Sequence, residues 1–175
     1  MKKYAFTSII LLLLATTVSS QNSKQQEIIN DAERALQTLV QKDAGVQQLL
    51  DQSTGYVIFP NVRKGAYIVG GASGNGAVYE NGKLIGMADL KQLDVGLQLG
   101  GQAFIQALFF KSQETLDRFK EGNFKLSGKV SAVALDKGKA ESIQFRDGIG
   151  VVTMPKAGAM IEVSVGGQKF GFQEL

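Results

Sequence analysis

The chain contains no cysteine, no histidine and no tryptophan. Without cysteine or histidine it lacks the two side chains most used as zinc ligands, and the usual general base for a serine or cysteine nucleophile. No metal site, cofactor or catalytic residue is expected. Aromatic lining is also thin: with no tryptophan and four tyrosines, pairs such as Asp89 with Asp94 or Glu141 with Asp147 are poor glycosidase candidates. They read better as solvated loop and strand-edge charge. The absence of disulfides suits a chain of about 155 residues past position 20, long enough to bury a core without staples.

Charge of one sign is lacking as well. Lys2 and Lys3 precede an apolar run from Ala5 to Ala15 and small residues at Val18-Ser19-Ser20, the layout of a secretory signal peptide over residues 1–20. The run is too short for a spanning helix, which needs roughly 20 apolar residues. Removing it leaves 17 Lys and Arg against 16 Asp and Glu, interleaved along the chain. Such a balance argues against nucleic acid as a partner. No cysteine follows the run, so a lipid-modified lipoprotein is excluded, and the mature protein is expected to be soluble, in the periplasm or secreted.

What is present divides in two within one expected domain, residues 21–175. Residues 21–52 read as helical: Ser23-Lys24-Gln25-Gln26 fits a capping box, and Ile28, Ile29, Ala32, Leu36, Leu39 and Val40 form one apolar stripe. Gly45 should interrupt the helix. From 55 to 175 the period shortens to two, with glycine punctuation in the manner of an antiparallel sheet. Asn81-Gly82 is a strong hairpin signal, because both central residues of a type I′ turn need positive φ. Strands are expected at Tyr56–Phe59, Ala66–Val69, Ala77–Glu80, Lys83–Ala88, Val95–Leu99, Phe104–Phe110, Val130–Leu135, Ser142–Phe145, Ile149–Thr153 and Ile161–Val165, with Gly166-Gly167 turning into Phe170 and Phe172. One short helix, capped by Ser112 and ended by Gly122, interrupts them. The expected class is α+β: an N-terminal amphipathic helix packed on a strongly curved, mostly antiparallel sheet, barrel-like or sandwich-like.

Gly70-Gly71-Ala72-Ser73-Gly74-Asn75-Gly76 invites a phosphate-loop reading. No Gly-Lys-Ser/Thr follows, however, and the next segment is a strand rather than a helix. Asn75 also stands where a nucleophile elbow needs glycine.

The run Gly55-Tyr56-Val57-Ile58-Phe59-Pro60-Asn61-Val62-Arg63-Lys64-Gly65 resembles the SYLF family pattern of an apolar strand, Phe-Pro and a basic loop leading to glycine. The glycine-rich stretch from Gly70, the Asn81-Gly82-Lys83 hairpin, Val95-Gly96-Leu97-Gln98-Leu99-Gly100 and Leu116-Asp117-Arg118-Phe119 continue the resemblance in order. It implies a compact, non-enzymatic α+β module that binds lipid. The expected function is a lipid-binding module of the bacterial envelope that meets anionic phospholipid surfaces or holds a lipid. The alternative is an envelope or host-facing protein–protein interaction module on the same fold. The expected contact is a basic loop carrying Arg63 and Lys64, joined by Lys24, Arg34 and Lys42 if these project to the same surface.

Overall fold

The computed structural model describes residues 23–65, 71–93, 102–128, 130–156 and 165–175. The expected signal peptide, the strands Ala66–Val69 and Val95–Leu99, and all of Ile161–Val165 except Val165 lie outside the described residues.

Helix α1 spans residues 23–42 and α2 runs Gly45–Asp51. Strands β1 (Gly55–Gly65), β2 (Gly71–Glu80), β3 (Lys83–Leu93) and β4 (Gln102–Phe110) follow, then α3 (Gln113–Lys120), β5 (Phe124–Lys125), β6 (Ala132–Ala134), β7 (Ile149–Pro155) and β8 (Lys169–Glu174). The eight described strands form one curled sheet in the order β5-β8-β3-β2-β1-β4-β7-β6. Every neighbour pair is antiparallel except β6 with β7.

The helix stripe goes to the outer face of the sheet. Ile29, Ala32, Ala35 and Leu39 are buried against Ile58, Ala77, Met87, Ala107, Phe109 and Val152, with Ile28, Leu36 and Val40 half-buried at the flanks. This face is therefore spent on the core and is not offered to a membrane. The chain breaks between α1 and α2 at Asp43, whose buried carboxylate accepts from the N–H groups of Gly45 (2.9 Å) and Ala140 (2.8 Å). Burial alone would raise the Asp43 pKa, but these backbone donors, with those of Lys139 and Gly138, hold it below the usual carboxylate value.

The inner face is a separate core. Phe59, Phe104, Leu108, Phe110 and Phe170 meet Leu116 and Phe119 of α3 there, and the Phe119 ring lies 5.0 Å from that of Phe110 and 5.9 Å from that of Phe170. Ser112 caps α3 as expected, its hydroxyl accepting from the Thr115 N–H. At the polar end of this core Gln92, Gln106 and Gln168 are buried and joined amide to amide, Gln168 donating to both neighbours (3.0 and 3.1 Å).

Asn81 and Gly82 take φ of 49° and 76°, as the hairpin requires. From Gly71 the glycine-rich stretch is the first half of strand β2, which is neither a phosphate loop nor an elbow. A Cβ on Gly76 would lie 2.5 Å from the Ile58 carbonyl oxygen, so glycine lets β2 pass the irregularity in β1 between Ile58 and Arg63. Ser142–Phe145 is not a strand. A 3-10 turn occupies Ala140–Ser142, pinned by Asp43, and β6 instead joins the sheet edge by parallel pairing with β7.

Candidate functional site

The expected basic loop at Arg63-Lys64 does not exist as a loop. Strand β1 continues through Pro60 to Gly65, so period two separates the two cations. Lys64 shares the inner face with Val62 and is 9% exposed, whereas Arg63 projects outward and is exposed. Lys64 is therefore corrected from a surface contact to a core-facing residue. Arg34 is on the exposed side of α1, paired with Asp31. Lys42 pairs with Asp136 (3.0 Å) at the other end of the helix. Of the five expected cations, Lys24 and Arg63 are brought together, lining one groove between α1 and the outer sheet face.

The register supplies what the sequence reading missed. Arg63 stands directly opposite Ser73, and Ser73 opposite Lys91. Lys91 stands opposite Lys169, and Lys169 opposite Lys125. Directly paired residues share a face, so Arg63, Lys91, Lys169 and Lys125 form one row across the outer side of β1, β2, β3, β8 and β5. On the other side Arg63 is opposite Ala103 of β4. The Lys156 N–H just beyond β7 donates to the Ala103 carbonyl (3.0 Å), which extends the row by another lysine. All five cations are exposed. At a strand spacing of about 4.8 Å the row is roughly 29 Å long.

Two of its contacts are lysine directly opposite lysine, an arrangement that destabilises an antiparallel pair. Only Lys91 of the five makes an ion pair among the described residues, with Asp89 at 3.2 Å. The contrast with Lys120 is direct. Burial works against the Lys120 ammonium, yet the carboxylates of Asp117 (3.2 Å) and Glu80 (3.3 Å) hold its pKa above the ordinary value.

Two grooves of about 480 and 470 Å³ lie beside the row, sharing Lys24, Ile28, Asn75 and Asp89. A third, of about 590 Å³, lies between α3 and β5. There Asp147 accepts from the Ser127 hydroxyl (2.8 Å) and its carbonyl from Arg118 (3.4 Å). Asp147 takes positive φ because it opens the tight Asp147-Gly148 turn, a turn requirement rather than a catalytic strain. Of the carboxylate pairs considered above, Asp94 lies outside the described residues and Asp147 is engaged by Ser127. No described helix is long and apolar enough to cross a membrane.

The cations at 91, 125, 156 and 169 are scattered over 79 positions of sequence, and only strand order collects them. The signal available in advance was alternation within each strand: an outward lysine beside an inward Leu90, Phe124 or Phe170. No protein-family model matches this chain, and no curated protein matches it either.

Proposed function

We propose that this protein is a non-enzymatic lipid-binding module of the bacterial envelope, exported to the periplasm or beyond, that rests on anionic phospholipid surfaces through the cationic row of the sheet. The observation that carries this reading is the pair of lysine–lysine register contacts, Lys91 with Lys169 and Lys169 with Lys125. Folding does not call for them. An anionic surface does, because each such cation close to it contributes about 1 kcal/mol of attraction. The resemblance to SYLF modules points to the same class of partner. A protein partner on this fold is the competing reading, and the same experiment separates the two.

The test is co-sedimentation of the chain from Gln21, which contains every described residue, with phosphatidylglycerol and with phosphatidylcholine vesicles across a range of salt. Binding is expected to phosphatidylglycerol alone and to weaken as the Debye length shortens. Replacing Lys91, Lys125 and Lys169 by Gln should weaken it by about 3 kcal/mol, on the order of a hundredfold. Equal binding to both vesicles, or none to either, rejects the surface reading and leaves the protein partner.

A further inference from the structure

We infer that the charged groove beneath the row seats one head group bearing both a phosphate and a primary ammonium, as in phosphatidylethanolamine. The inference rests on the lipid-surface reading above and names a lipid class for it. The groove holds about 480 Å³ and is built from two walls, the first turns of α1 and the outer side of β1, β2 and β3. Its charges sort by whether they already have a partner. Asp31 is taken by Arg34 outside the groove, and Asp89 by Lys91. Lys24 on the helix wall, Arg63 on the strand wall and Glu27 remain without an ion pair among the described residues.

Two free cations on facing walls and one free carboxylate are complementary to a zwitterion. The phosphate accepts from the Arg63 guanidinium and the Lys24 ammonium, and the head-group ammonium donates to Glu27. The adjoining groove shares Lys24 and Ile28 and continues to Met87 and Phe172. Arg63 and Lys91 belong to the row as well as to this groove, so the site opens beside the surface that the row meets.

A choline head group carries the same charge as ethanolamine but no N–H, so it cannot donate to Glu27. The discriminating measurement therefore holds the phosphatidylglycerol fraction of a vesicle constant and makes the remainder either phosphatidylethanolamine or phosphatidylcholine. The ethanolamine vesicles should bind roughly fivefold tighter, the scale of one exposed charge-assisted contact, and Glu27→Gln should abolish that difference while leaving the binding due to phosphatidylglycerol. Equal binding to both mixtures, or a preference that survives Glu27→Gln, overturns the inference.

A second measurement keeps the groove separate from the row. Dihexanoyl phosphatidylethanolamine, soluble and monomeric, is titrated against the chain while the backbone amide resonances of residues 24–31 and 73–75 are followed. Shifts there with the ethanolamine lipid and not with its choline analogue support the groove even if vesicle binding fails, in which case the surface reading alone falls. No shifts with either lipid remove the groove and leave the row standing.

Discussion

The two ends of the sheet handle charge in opposite ways. At the hairpin end Glu80 closes β2, accepting from Gln113 of α3 (2.7 Å) and pairing with Lys120, which also meets Asp117. Within this group each charge has an opposite partner, and Lys120 and Gln113 tie α3 to the end of β2. At the other end Lys169 lies between Lys91 and Lys125, with Arg63 further along the row. One end is arranged as folding alone would arrange it. The other places lysine directly opposite lysine, and on the function proposed above it is the end that meets an anionic surface.

The largest effect belongs to the hairpin end: Phe119→Ala removes a fully buried ring packed on Phe110, Phe124 and Phe170. It should lower stability by about 3–5 kcal/mol in urea unfolding, while the protein that remains folded keeps its affinity for anionic vesicles. Vesicle binding that falls along with stability would mean the two ends are not independent.

The next effect sharpens the rule that satisfied charges stabilise. Asp43→Asn removes a carboxylate held by backbone donors and should cost about 1–3 kcal/mol. Its sign with pH is fixed by the depressed folded-state pKa. The contribution is complete above the unfolded carboxylate value near 3.9 and disappears as pH falls through the lower folded value. Wild type and Asp43→Asn, compared by urea unfolding at neutral pH and near pH 3, should therefore converge in acid. A gap that widens there contradicts the assignment.

Legibility in the sequence followed the same division. The hairpin at Asn81-Gly82, the Ser112 cap and the apolar stripe of α1 were readable because each is written in residues within four positions of one another. The antiparallel sheet was readable from period two and glycine spacing, and the α+β class with its curved sheet from these together with the SYLF resemblance. Arg63 and Lys64 were misread together because Phe-Pro suggests the end of a strand, whereas β1 runs on through Pro60 and turns the two side chains to opposite faces. Alternation within each strand could show which lysines point outward, but not that they form one row. The row depends on β8 lying beside β3 and β5 beside β8, and on a register shift between Val78 and Tyr79 that moves Lys91 opposite Ser73. A one-residue slip would have put that lysine on the inner face.

The smallest changes give the most direct test. Lys120→Gln and Lys169→Gln remove the same charge from opposite ends, and each variant is measured for thermal stability and for affinity to phosphatidylglycerol vesicles. Lys120→Gln should lose a few tenths to about 1 kcal/mol of stability and bind as wild type. Lys169→Gln should bind roughly fivefold more weakly and be as stable as wild type or slightly more so, since a repulsion between directly opposed lysines is relieved. If Lys169→Gln instead unfolds more easily and binds vesicles as well as wild type, the row is structural and the account of this end of the sheet is wrong.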